Sequence, residues 1–183
     1  TTFTISGDKT GKYQKGDKIK LTQTSVKYFY VINVTYSSPN TTVTVTGGSD
    51  YSSANATITS PYFSKVANPQ GFPDWFNCTL TVSSSSGTVA SATSIGRFTI
   101  KGRWLTLNGK ISLVDKGTAS GVLFSTLPIN AIGTFAQIGI GRESGTTGAI
   151  VQVYVSTTIS IFYDMGITNG YTTCTFMGET LDK

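Results

Sequence analysis

The run IGRFTIKGRWLTLNGKISLV, residues 95–114, alternates apolar and polar side chains along most of its length. Phe98 and Ile100 fall between Arg97, Thr99 and Lys101. After Gly102 the apolar positions resume at Leu105, Leu107, Ile111 and Leu113, with Thr106, Asn108, Lys110 and Ser112 on the opposite side. Successive side chains of a strand point to opposite faces, so a period of two places the apolar set on one side of a sheet. The pattern predicts a hairpin turning near Lys101-Gly102-Arg103, with a long second strand weakened or bent at Gly109.

Working outward, the composition agrees with strands. The chain has 183 residues, 38% of them hydrophobic, enough for one large β-sandwich or two small domains with a real core. Ser and Thr together number 52, Gly 20, and no stretch repeats at helical spacing. No apolar run approaches the ~20 residues needed to cross a bilayer, so membrane insertion is not expected. Four N-x-S/T triplets begin at Asn33, Asn40, Asn55 and Asn77, which in so Thr-rich a chain carries little weight.

In chain order, residues 2–5 read as a first strand and Lys18 to Gln23 as a second, with Ile19 and Leu21 inward. Val26, Tyr28, Tyr30, Ile32, Val34 and Tyr36 then alternate with Lys27, Phe29, Val31, Asn33 and Thr35, which makes this strand central to its domain. Residues 41–46, TTVTVT, return antiparallel after the turn cluster Ser37-Ser38-Pro39-Asn40. Pro61, Pro69 and Pro73 fall close together with the pairs Tyr62-Phe63 and Trp75-Phe76, and the domain boundary is placed there. The division is a small β-barrel-like or curled module over 1–66, a Pro/aromatic connection over 67–76 and a β-sandwich of jelly-roll type over 77–183. The fold class is all-β. In the second half strands are expected at 77–82, 122–127, 135–140, 149–155 and 158–163, with 171–177 as the closing strand.

Histidine is absent, which removes Ser-His-Asp and Cys-His nucleophile systems and His-ligated zinc. Cys78 and Cys174 lack metal-ligand spacing; a disulfide and two buried thiols both remain open. Asp74, Asp115, Glu143, Asp164, Glu179 and Asp182 sit in apparent turns, and nothing in their spacing forces a catalytic pair. GIGRESG, 139–145, lacks the Gly-Lys-Ser/Thr ending of a phosphate loop and reads as a hairpin. The expectation is a protein without catalytic residues, cofactor or metal. Net charge is +5, concentrated where Lys9, Lys12, Lys15, Lys18, Lys20 and Lys27 accompany Tyr13. These lysines read as a solvated surface that protects sheet edges, in preference to a phosphate-contacting patch. Trp75 and Phe76 read as a plug for the end of a core, in preference to sugar-stacking rings.

At ANPQGFPDWFNCTLTV (67–82), GRFTIKGRWLTLNGKI (96–111) and VLFSTLPINA (122–131), the chain resembles the β-rich terminal domains of bacteriophage tail proteins. There a Gly-Phe-Pro-x-Trp-like entry precedes an Arg-aromatic-x-Ile-x-Gly strand and a later strand ending in Leu-Pro. The segment SPNTTVTVTGGSDYSSANATITSPYFS (38–64) resembles the small β module ahead of that domain. The resemblance implies a virion tail component, a tail fibre or baseplate protein made in the bacterial host cytoplasm. It implies a homotrimer that contacts other tail proteins and binds saccharide or protein on a bacterial surface. It supplies no catalytic residues. Trimerisation is physically sensible, because copies of a Thr-rich β module can cover one another's apolar surface and sheet edges. A glycan site would need exposed rings beside amides or carboxylates; Trp104 and Tyr163 are the candidate ligand-binding residues, although Trp104 directly after the turn also fits half-buried packing. The alternatives are a secreted, extracellular carbohydrate-binding module and, less favoured, an oligonucleotide-binding barrel in the first half.

Overall fold

A computed structural model of the chain describes residues 1–102, 104–129, 137–143, 150–155, 158–161 and 170–179; at 137–139, 143 and beyond 150 it describes the backbone alone. About 60% of the chain is strand and no helix occurs among the described residues, so the class is all-β. Contacts divide the chain into two units. One holds Thr1–Phe76 with residues 99–102, and the other Asn77–Phe98 with the described residues from Trp104 onward.

The first unit is built on β1 (Thr2–Ser6), β2 (Lys18–Thr22), β3 (Val26–Ser37), β4 (Asn40–Thr46) and β5 (Thr59–Ser64). Their order in the sheet is β1-β4-β3-β2-β5, every pair antiparallel, so β3 is central as its length predicts. The sheet is open and curled, with β1 and β5 at its edges. Ile19, Leu21, Phe29, Val31, Val43 and Val45 form its core, with Phe3, Ile5, Tyr13, Val34 and Tyr51 packed against them. Burying each such side chain is worth roughly 1.5–3 kcal/mol, which makes this face a large contributor to the unit's stability.

The alternation in β3 is not one face of eleven residues. Val31 pairs with Val45 but Asn33 with Thr44, so Ile32 is the extra residue of a bulge. Before it Phe29 and Val31 point into the core while Tyr28 and Tyr30 take the other face. After it Val34 returns to the core. A strict period of two cannot reveal this change of phase, because the apolar residues continue on both sides of it.

The second sheet comprises β6 (Phe76–Cys78), β7 (Val82–Ser86), β8 (Ser91–Lys101), β9 (Trp104–Asp115), β10 (Ser120–Thr126), β11 (Gln137–Glu143), β12 (Ile150–Val155), β13 (Thr158–Ile161) and β14 (Gly170–Glu179). Their order is β6-β8-β9-β14-β11-β12-β13-β10-β7. β8 and β9 are neighbours, turning at Gly102 with φ 62°, and Phe98, Ile100, Leu105, Leu107, Ile111 and Leu113 are all buried as the alternation requires. Gly109 does not interrupt β9: it pairs with Cys174 within an unbroken register from Trp104 to Leu113.

Two expectations about this sheet are corrected. Residues 77–82 are not one strand: β6 and β7 are separate, and the Ser tract 83–86 lies within β7. The last strand, β14, does not close the sheet but pairs with β9 and β11 in its interior. The edges are β6 and β7, joined only by Thr79, Leu80 and Thr81. Four Cα steps of about 3.8 Å span at most ~15 Å. Nine flat strands at ~4.8 Å spacing would hold their edges nearly 40 Å apart. The sheet therefore has to curl until β6 and β7 approach one another.

This order also decides the cysteines. Cys78 is buried on β6, while Cys174 lies on β14 opposite Gly109 and Gly141. With β8 and β9 between their strands, the two are roughly 14 Å apart along the sheet at ~4.8 Å per strand. A disulfide needs Cα atoms within about 7 Å, so these two residues do not form one.

Candidate ligand-binding groove

The second face of the five-stranded sheet carries lysines and tyrosines in register. Lys18 stands opposite Tyr30 and Ser64, and Lys20 opposite Tyr28 and Tyr62. Residues 67–76 pack over this face as a strap. A turn from the Pro69 carbonyl to the Phe72 N–H, 3.1 Å, with Gly71 at φ 76°, aims Phe72 at the sheet. The Phe72 ring lies 5.2 Å from that of Tyr30 and 5.5 Å from that of Tyr28, both edge-on. Phe76, fully buried, stacks on Phe72 at 5.5 Å and meets Tyr30 at 4.8 Å. Such pairs add about 0.5–1.5 kcal/mol beyond their buried area, enough to hold a strap without regular structure.

A cavity opens on each side of Phe72. One, of about 310 Å³, is bordered by Lys18, Tyr30, Asn68, Asp74, Trp75 and Lys101, among others. The other, of about 240 Å³, is more apolar and is bordered by Lys20, Tyr28, Tyr62, Phe63 and Gln70. Lys18, Pro69 and Phe72 line both. Rings, an amide, a carboxylate and ammonium groups thus converge on one strip of surface, the composition of a small-molecule site.

Lys18 is the unusual group here, only 3% exposed. Its Nζ donates to the Gly16 carbonyl across 3.4 Å and lies 5.4 Å from the Tyr30 ring centre. Burial pushes its ammonium below the ordinary lysine range; Asp17 raises it again and Lys101 lowers it. Asp17 is itself buried and held up by desolvation, while its Oδ2 accepts the Gln14 N–H at 2.9 Å. The Tyr30 hydroxyl, 3.3 Å from Thr99 Oγ1, is pushed up by burial. Lys20 and Lys12 stay at the surface over rings, 5.9 Å from Tyr28 and 5.1 Å from Phe63.

The reading of all six N-terminal lysines as a solvated surface therefore fails at Lys18. A sheet face that alternation assigns to water is roofed by the strap, and the strap has no periodic signal. Of the two ligand-binding residues expected from sequence, Trp104 is 58% exposed at the start of β9, opposite Glu179, and borders neither cavity. Tyr163 lies outside the described residues. Trp75, read as a core plug, lines the larger cavity, whereas Phe76 does enter the core. Lys18, Tyr30, Phe72, Thr99 and Lys101 went unnoticed as a group; the available signal was a Lys inside a strand, opposite an aromatic strand. Among the described residues no cluster of His, Cys, Asp or Glu is arranged to hold a metal ion. Comparisons with protein-family models, with curated proteins and with solved structures returned no match.

Proposed function

We propose that this chain is a non-enzymatic component of a phage virion, a tail-fibre or baseplate protein that recognises saccharide on the bacterial surface. The observation that carries the recognition half is the groove under the strap. Sugars present a C–H face to aromatic rings and hydroxyls to amide, carboxylate and ammonium groups, and Phe72, Trp75, Asn68, Asp74 and Lys18 supply these around 310 Å³. The jelly-roll sandwich is the finer architecture this reading assigns to the nine-stranded sheet.

The assembly half is supported by the outer side of β11 and β12. Ile140 stands opposite Gln152 and Arg142 opposite Ile150, so the isoleucines are diagonal neighbours on one face. They are 68% and 79% exposed. Further copies of the chain, as in a homotrimer, would cover them. Screening against bacterial surface oligosaccharides tests the reading: saturable binding weakened at least tenfold by Trp75→Ala is expected. No binding to any saccharide, together with salt-dependent binding to single-stranded DNA, would overturn it.

A further inference from the structure

The groove holds a cation that the described residues satisfy only in part. An ammonium has three donors. That of Lys18, buried at 3% exposure, makes one long hydrogen bond to a backbone carbonyl among the described residues and otherwise faces the Tyr30 ring. Asp17, its neighbour in sequence, directs Oδ2 to the Gln14 N–H. Lys101 borders the same cavity and works against the charge of Lys18, and the acid that lines it is Asp74. Buried charges are normally paired with an opposite charge or a set of acceptors. Two ammonium groups on one small cavity, with the deeper one short of acceptors, form a built place for an anion.

We propose that this cavity binds the carboxylate of an acidic sugar, a hexuronate, between Lys18 and Lys101, with its ring against Trp75 and Phe72. The proposal rests on the saccharide reading above and narrows it. A volume of about 310 Å³ is at the low end for ligand sites and suits a single ring. Asn68 and Asp74 border the same space for the sugar hydroxyls, and Thr99 is held by Tyr30. The carboxylate completes the donor set of Lys18 and screens it from Lys101. Asp74, lining the same cavity, favours a ligand with one negative charge over one with two.

Backbone amide NMR titrations with methyl β-D-glucuronide, methyl β-D-glucoside and inorganic phosphate test this. Saturable shifts at Lys18, Asp74, Trp75 and Lys101 with the glucuronide are expected, with the glucoside and phosphate each at least tenfold weaker. In Lys18→Met, which keeps the buried stem, and in Lys101→Met at the exposed rim, the two glycosides should bind alike. Equal binding of both glycosides to the unmodified chain overturns the acidic-sugar site and leaves the saccharide reading standing. Phosphate binding as tightly as glucuronide overturns it in favour of a general anion site. If neither glycoside binds, this inference falls, and the oligosaccharide screen judges the broader reading separately.

Discussion

At the scale of single residues, two buried hydroxyls show how context decides what a polar atom is worth. Thr41 Oγ1 accepts the Lys9 N–H at 2.8 Å and donates to the Gly7 carbonyl at 2.7 Å, tying the loop after β1 to β4. Thr41→Val keeps the shape and orphans both backbone groups, so a loss of about 2 kcal/mol is expected by urea denaturation. Ser125 Oγ on β10 is buried with no hydrogen-bond partner among the described residues, on a residue paired with Val82 and Ile159. Ser125→Ala should leave stability unchanged or raise it by up to about 1 kcal/mol, and a loss above that would mean the hydroxyl has a role. Tyr30→Phe removes the contact with Thr99 and should cost about 1 kcal/mol at neutral pH. Its alkaline behaviour should differ from the parent chain. Because the folded-state pKa of Tyr30 is raised above 10.0, the folded protein holds that proton after the unfolded chain releases it, so stability falls as pH rises beyond 10. Tyr30→Phe should lose less over that window in urea melts at successive pH values.

At the scale of elements, periodicity was a good guide to one face and silent about the other. It placed Ile19 and Leu21 of β2, and Leu105, Leu107, Ile111 and Leu113 of β9, in the core because water on one side and apolar neighbours on the other leave a signature. Lys18 and Tyr30 carry the pattern of a solvated face, and only the strap's rings, placed by the Pro69–Phe72 turn, convert it into a groove. β7 was illegible for another reason: Val82 and four serines at a sheet edge give no contrast between faces. Close approach of elements is equally hidden, yet it can be measured. Gly16, at φ 89°, donates its N–H to Val31 at 2.8 Å, and a Cβ built there would stand 1.9 Å from the Gly102 carbonyl oxygen. Gly71, at φ 76°, has open space around the same position. Gly71→Ala therefore carries backbone strain alone, about 1 kcal/mol, whereas Gly16→Ala adds a clash with the β8–β9 turn and should cost about 3 kcal/mol or more. Similar losses for both in thermal or urea melts would show that the turn yields without cost.

For the whole molecule, the open question raised by its surface is what covers the exposed apolar side chains of the second sheet. Alternation showed which residues share a face, but not which strands lie side by side: β14, last in the chain, enters between β9 and β11, and that insertion sets the neighbours of Ile140. Ile140 and Ile150 then meet as a diagonal pair with Arg142 between them, on strands that could as easily have carried Thr or Lys there. An isolated exposed isoleucine needs no explanation, but a pair on one face is the start of a patch. If like copies cover it, light scattering of the 19.4 kDa chain should give a mass near three times that value, falling toward one on dilution. Ile140→Asp and Ile150→Asp replace exposed side chains, so each should leave the stability of the single chain within about 0.5 kcal/mol. In the assembly each places a charge in a desolvated contact, and the mass should drop to that of the monomer. An unchanged mass in the double variant would place the association surface elsewhere. A parent chain that is monomeric at all concentrations would remove self-association as the reason for the pair.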